Sequence, residues 1–400
     1  MRGRRSTRLE RGTPSASLCP SGMPKNPIAP HNGGIVLYDF LHCLGGAEQL
    51  TLTLLKALPG TDLCIGYRNS RLFPSSGIAA KKLHDLHLPA RFLGGRTMVG
   101  LVAFRLQTRF LRDYNWALFS GSVSLEGVHR RRCGRNIYYC HTLPRFAYDL
   151  LPYYAGRVPL PLRPLLYLVA AVVRRRFVRA LSRMNLIIAN SKNVRQRLQH
   201  YIGCDACVIY PPCDTEGFLW RGQEDFYLST ARLEPYKRVD SVIEAFRRMP
   251  HHRLILVSGG SDEVRLRRLA ADAANIQFCG WVSAERLRDL VGRCIATVYV
   301  AQDEDFGISP VESMAAGKPV IGVAEGGLPE TVIHETTGIL TPPDAPLVPA
   351  VVAAVERLTP ARAVSMRMAC ERRAQDFGEE RFSSAMREVI ATVTENADPA

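Results

Sequence analysis

The stretch Asp303-Glu-Asp-Phe-Gly-Ile-Ser-Pro-Val-Glu312, followed at once by Ser-Met-Ala-Ala-Gly-Lys-Pro-Val-Ile-Gly-Val-Ala324, decides how the whole chain is read. The apolar run Ala296 to Ala301 before it predicts a buried strand. Ser309 to Ala316 predicts a short helix with Ser309 as N-cap and Pro310 at its first position. Glu304 then falls in the loop where a strand ends, and Glu312 about one turn inside the helix. Open α/β sheets bind ligands at that end of their strands. The backbone N–H groups of Phe306, Gly307 and Ile308 lie beside the helix's positive end, which suits a phosphate, and Gly307 permits close approach. Neither carboxylate helps to bind an anion. Two acids beside a phosphate site are suited to accept hydrogen bonds from sugar hydroxyls, one set on each side of a diphosphate.

Working outward, the second half of the chain alternates strands and helices. Strands are expected at Asp225–Thr230, Arg253–Ser258, Ile276–Phe278, Ala296–Ala301 and Pro319–Val323, with helices starting near Lys237, Asp262, Ala284, Ser309 and Leu328. That alternation predicts a parallel sheet covered on both faces. Arg232 follows the first of these strands and Lys237 opens the next helix, so both can face one cleft, arginine as a fork and lysine as a point charge for phosphate.

The first half reads less regularly. Ile35 to Phe40 is a strand running through the Gly45-Gly46 turn into a helix that ends near Leu58. This is not the dinucleotide Gly-x-Gly-x-x-Gly, and a Gly-Gly pair alone is more often a plain turn. Further strands are expected at Thr61–Tyr67, ending at Ser120, at Asn136–His141, at Leu186–Ser191 and at Ala206–Pro212. The turn-rich stretch from Cys213 to Gly222 marks a boundary. The expected organisation is a disordered basic tail over residues 1–30, with Met23 as a second candidate start, a first domain over 31–212, a second over 213–376, and a C-terminal helix over 377–400 returning to the first.

Glu304-x7-Glu312, the following Gly326-Gly327-Leu-Pro-Glu330, and the upstream Ser229-Thr-Ala-Arg232-Leu-Glu-Pro-Tyr-Lys237 together resemble the family-four retaining glycosyltransferases. The resemblance implies an α/β chain of the GT-B fold, two Rossmann-like domains with a deep interdomain cleft. It implies that Glu304 holds hydroxyls of the donor sugar and His141 contacts that sugar from the first domain, these two being the catalytic residues. Arg232 and Lys237 would clamp the diphosphate, Glu312 the ribose, and Phe306, Gly307 and Ile308 the sugar or phosphate. Gly45, Gly46 and Arg145 would belong to an acceptor or phosphate loop. The string from Tyr139 to Asp149 resembles that of bacterial mannosyltransferases using GDP-mannose in polysaccharide or O-antigen synthesis, with a displaced proline and tyrosine in place of tryptophan. The implied chemistry is same-face transfer without a metal or other cofactor, from a nucleotide-sugar, GDP-mannose first and a UDP- or ADP-sugar as alternatives. Asp303 and Asp305 have a metal-like spacing but overlap the Glu304 loop, so no metal is expected.

Net charge is +15, with a sequence pI near 9.5. Roughly +12 of it lies between Leu101 and Arg183 and roughly +5 before Pro30. Such a field suits an anionic surface. Arg163 to Arg183 predicts a helix whose apolar part runs into a cationic end, either a core helix with a solvated end or one lying on an anionic membrane. A lipid-linked or saccharide acceptor at the cytoplasmic, inner face of a membrane fits the second. A nucleic-acid-binding protein is the rival reading, disfavoured because no aromatic stacking platform accompanies the arginines. Eleven cysteines without framework spacing read as reduced thiols.

Overall fold

A computed structural model of the chain describes residues 32–42, 45–88, 96–131 and 133–395. The expected tail over residues 1–30 lies outside them. The first sheet is built from β1 (Asn32–Leu41), β2 (Asp62–Arg68), β3 (Leu83–Asp85), β4 (Tyr114–Phe119), β5 (Arg135–Cys140), β6 (Leu186–Ala189) and β7 (Cys207–Val208). Their order across the sheet is β3-β2-β1-β4-β5-β6-β7, with every pairing parallel. The second sheet comprises β8 (Tyr227–Ser229), β9 (Leu254–Val257), β10 (Ile276–Gly280), β11 (Thr297–Tyr299), β12 (Val320–Val323) and β13 (Gly338–Thr341), in the order β10-β9-β8-β11-β12-β13. These pairings too are parallel. The architecture is therefore two Rossmann-like α/β units, as the family resemblance implied, the alternation of strands and helices having predicted the second of the two sheets.

Central strands are apolar on both faces because helices cover both. β9 and β12 are buried along their whole length, as are Ile35, Val36 and Leu37 of β1. The strand order reverses between β1 and β4 in the first sheet and between β8 and β11 in the second. Crevices open at the carboxyl ends of strands at such points, and the loops after β8 and β11 carry Arg232, Lys237 and Glu304.

Two strands escaped the sequence reading. β3 is three half-buried residues at a sheet edge, too short to show a period. β13 opens with Gly338, where a Cβ atom would lie 2.1 Å from the Val320 carbonyl oxygen, so glycine is required by the close approach of β12. The expected last strand of the first domain, Ala206–Pro212, is only the two residues of β7.

The chain crosses between the sheets over residues 209–226 and again near 377, and the two crossings touch: Cys213 N–H donates to the Phe377 carbonyl at 2.9 Å. Helix Glu379–Glu395 then inserts Phe382, Met386 and Ile390 into the core of the first sheet, where the Phe382 ring meets Tyr139 edge-on at 6.0 Å. Burying each such side chain contributes roughly 2 kcal/mol.

Candidate functional site

The site is built at the switch point of the second sheet. β11 ends at Tyr299, and the chain turns through Asp303, which sits in the left-handed region with φ 47°. The following helix, Ile308–Ala315, starts two residues earlier than expected. Gly307, at φ 93°, is its N-cap instead of Ser309, because glycine enters that conformation without a Cβ penalty. Pro310 still falls in the first turn, where its missing N–H costs no helical bond.

Glu304 and Lys237, 67 residues apart, meet here at 2.5 Å. Tyr299 closes the triangle: its hydroxyl donates to Glu304 Oε2 at 2.8 Å and accepts from Lys237 Nζ at 3.0 Å. Burial pushes the Glu304 carboxyl up, but Lys237 and the Tyr299 hydroxyl outweigh it and hold it below its ordinary value. Glu304 is thus a charged carboxylate at neutral pH. Both bonds fall on Oε2, and among the described residues no donor meets Oε1, which leaves it to accept a hydroxyl. Sequence reasoning missed Tyr299; a phenol inside the apolar run Ala296–Ala301 was its only signal.

Arg232 is exposed, and its guanidinium donates to the Tyr236 hydroxyl at 3.3 Å, with no carboxylate paired to it among the described residues. Glu312 is half-buried, and no hydrogen-bond donor reaches its carboxylate among the described residues. Burial pushes it up to about 7, Asp214 adding to the shift and Arg288 opposing it. Among the described residues, Arg232 thus stands without a carboxylate partner, Lys237 is paired, Glu304 is charged and Glu312 is poised near neutrality.

The Gly326-Gly327 pair presses against the same loop. A Cβ on Gly326 would lie 2.5 Å from the Glu304 carbonyl oxygen, and one on Gly327 would lie 2.5 Å from that of Asp305. Gly327 N–H donates to the Glu304 carbonyl at 2.7 Å. Phe306 is buried, its ring 5.6 Å from Tyr210 and 5.4 Å from Phe377, which anchors the loop from below.

From the first domain, Gly46 faces Ile308: a Cβ at Gly46 would fall 2.4 Å from Ile308 Cδ1. Gly45 is the N-cap of helix Gly46–Ala57. His141 follows β5 and shares a hydrogen bond with Ser120 Oγ at 2.9 Å, beside Tyr38 and Tyr139. Burial lowers it to about 4, so the imidazole is neutral near pH 7 and acts as a hydrogen-bonding group, with no positive charge. Arg145, expected on an acceptor or phosphate loop, pairs with Asp149 at 2.7 Å and donates to the Asp303 carbonyl at 3.2 Å. It is turned toward the Glu304 loop. Glu330 reaches across to cap helix Lys192–Ile202, accepting from the N–H groups of Lys192 at 2.7 Å and Asn193 at 2.8 Å.

Residues 214–376 match the family described as glycosyl transferases group 1. Over 179 residues the chain is 28% identical to D-inositol 3-phosphate glycosyltransferase of Mycobacteroides abscessus, covering 39% of this chain and 40% of that one. Over 133 residues it is 34% identical to the GDP-mannose-dependent alpha-(1-6)-phosphatidylinositol monomannoside mannosyltransferase of Mycobacterium tuberculosis, covering 30% and 34%. The matched segment spans less than half the length of either relative. Among solved structures the chain is similar to HepE of Anabaena in complex with UDP and glucose, with a TM-score of 0.69 at 18% identity over 90% of this chain and 100% of that one. The fold is GT-B.

Proposed function

We propose, from the premise that residues 214–376 carry a group 1 glycosyltransferase domain, that this chain transfers a hexose from a nucleotide-sugar to a hydroxyl of a saccharide or lipid-linked acceptor with retention at C1. The observation that carries the reading is the arrangement at the second switch point. Charged Glu304, with Oε1 free, lies beside Lys237, while Arg232 and the helix N-terminus offer positive potential to a diphosphate. Breaking the bond between C1 and the phosphate oxygen leaves the electron pair on the diphosphate, and these groups stabilise that charge. The acceptor oxygen bonds to C1 on the same face, and its proton passes to the departing phosphate oxygen. Glu304 holds the sugar hydroxyls, and neutral His141 donates or accepts a hydrogen bond on the reacting face. Glu312 takes the ribose hydroxyls.

GDP-mannose is the donor favoured by the string Tyr139 to Asp149 and by the name of the Mycobacterium tuberculosis relative. The test is the melting temperature with GDP, UDP and ADP at matched concentrations. A ligand bound only to the folded state at 100 times its Kd adds about 2.7 kcal/mol. GDP alone is expected to give a clear shift. A shift with UDP or ADP alone overturns the donor, and none with any of the three overturns the enzymatic reading. Because ribose hydroxyls bind a charged carboxylate best, the GDP shift is expected to grow as pH rises through about 7, where Glu312 ionises. Glu312→Gln should remove that dependence.

The acceptor reading places the chain on an anionic membrane. Among the described residues no helix is long and apolar enough to cross one. Helix Arg163–Leu181 instead exposes Leu165 (58%), Leu168 (61%) and Val172 (41%) at helical spacing, and the same face continues into Arg175 and Arg179. Helix Arg96–Gln107 exposes Met98, Val102 and Leu106, and it meets the first helix over Glu126, which accepts from Arg176 at 2.8 Å and Arg105 at 3.3 Å. An apolar stripe running into arginines fits the interface of an anionic bilayer. Sedimentation is expected with vesicles containing phosphatidylglycerol and not with phosphatidylcholine alone, and Leu165→Ser with Leu168→Ser should abolish it. Equal recovery of the double variant would remove this surface from the reading.

A further inference from the structure

Three successive residues of the Glu304 loop are held by side chains of the first domain. The Asp303 carbonyl accepts from Arg197 Nη2 at 2.6 Å and Arg145 Nη1 at 3.2 Å. The Glu304 carbonyl accepts from Asn193 Nδ2 at 3.0 Å, and the Asp305 carbonyl accepts from Ser191 Oγ at 2.5 Å. The Asp305 carboxylate accepts from Arg197 Nη1 at 2.6 Å and Thr142 Oγ1 at 3.0 Å on one oxygen. Arg197 therefore spans the turn, one nitrogen on the Asp303 backbone and the other on the Asp305 side chain, with Glu304 between them.

We propose that Arg197 is a positioning residue for Glu304: its fork fixes the backbone on either side of Glu304 from the first domain, while Lys237 and Tyr299 hold the carboxylate from the second, so that Glu304 is fully aimed when both sets of bonds are made. The inference rests on the transferase reading of Glu304 given above. The local chain does not fix the Glu304 direction by itself. Asp303 is a non-glycine residue at φ 47°, a conformation that disfavours a Cβ, and the bonds to Arg197 and Arg145 compensate for it. The fork matters because arginine presents parallel donors in one plane, matching a carbonyl and a carboxylate at a fixed separation. Lysine, a single point charge, cannot occupy both. Arg197 is itself 9% exposed, on helix Lys192–Ile202, whose N-terminus Glu330 caps from the second domain. Two sets of bonds thus run in opposite directions across the same junction. A sugar-binding carboxylate held this way makes transfer depend on the registry of the domains, and misplacement by about 1 Å can cost on the order of 10²-fold in rate.

The test is a kinetic cycle on the full-length protein with GDP-mannose as donor. Arg197→Ala and Arg197→Lys are both expected to lower kcat at least tenfold while the melting shift with GDP stays as in the wild type, because the nucleotide is held by other groups. In a Glu304→Gln background, Arg197→Ala should cost less than threefold more, since it acts through the group already removed. Thr142→Val, which removes one bond from Asp305 and leaves Arg197 in place, supplies a milder variant should Arg197→Ala fail to fold, and it should lower kcat in the same non-additive way. Additive losses, an unchanged kcat in Arg197→Ala or Thr142→Val, or full rescue by lysine would each overturn the proposal. An unchanged rate in Glu304→Gln alone would instead overturn the transferase reading of Glu304, so the two failures are distinguishable.

Discussion

Replacing Lys237 with methionine is expected to destabilise the protein by about 3–5 kcal/mol, the cost of leaving one member of a buried ion pair without its partner. The side chains of Lys237 and Glu304 are 10% and 17% exposed, so water cannot readily take over the lost contact. Methionine preserves most of the volume, so the loss reports charge more than packing. Part of the penalty should vanish in a Lys237→Met, Glu304→Gln double variant, where no carboxylate is left to be unpaired. Urea unfolding of the four proteins checks this: strictly additive losses would show that the two side chains do not act as a pair. The same single variant should weaken nucleoside diphosphate binding, because the second cation of the site is gone. The double variant recovers stability without recovering that affinity. Stability and binding thus separate, which a purely structural role for Lys237 does not predict.

Glu304→Gln is expected to lower kcat by roughly 10- to 150-fold, the rate equivalent of hydrogen bonds to a charged group at about 1.5–3 kcal/mol. Glutamine keeps the shape of the side chain but loses its charge. Its binding of nucleoside diphosphate should stay within about threefold of wild type, because the diphosphate does not touch this carboxylate in the proposed arrangement. Turnover at saturating donor, with diphosphate affinity measured by calorimetry, gives both values. A glutamine variant with wild-type kcat but impaired diphosphate binding would exchange the roles assigned to Glu304 and to Arg232 with Lys237. The depressed titration of Glu304 adds a sign: its pairing contributes stability at neutral pH that is lost as pH falls through the folded value.

Much of this site was legible from local pattern. A strand end followed by a helix start places Glu304 and Glu312 on the ligand side of a parallel sheet, and Arg232 and Lys237 follow another strand end by the same logic. The Gly326-Gly327 pair was legible as a motif, but its purpose was not: only the packing shows both glycines pressed against the backbone of residues 304 and 305. The N-cap was misread because Ser-Pro is a strong local signal and the conformation of Gly307 cannot be seen in a residue that tolerates nearly any backbone angle. Arg145 was assigned to an acceptor or phosphate loop through the resemblance of the string Tyr139 to Asp149, which says nothing of its partners within the chain. Its carboxylate partner is four residues away, and its other partner is a carbonyl 158 residues on.

The sequence by itself determined the parallel α/β architecture of the second half and the chemical types at the strand ends, because hydrophobic period and turn residues act over a few positions; the first half was legible mainly through the resemblance of its motifs. The tertiary structure alone decided which of those groups meet. Lys237 with Glu304, Arg197 with Asp305 and Gly46 with Ile308 join segments 67 or more residues apart, and no local periodicity encodes such a distance. The resulting burial and pairing leave Glu304 charged, raise Glu312 toward neutrality and keep His141 neutral, since a carboxyl or an imidazole takes its protonation state from its surroundings in the fold.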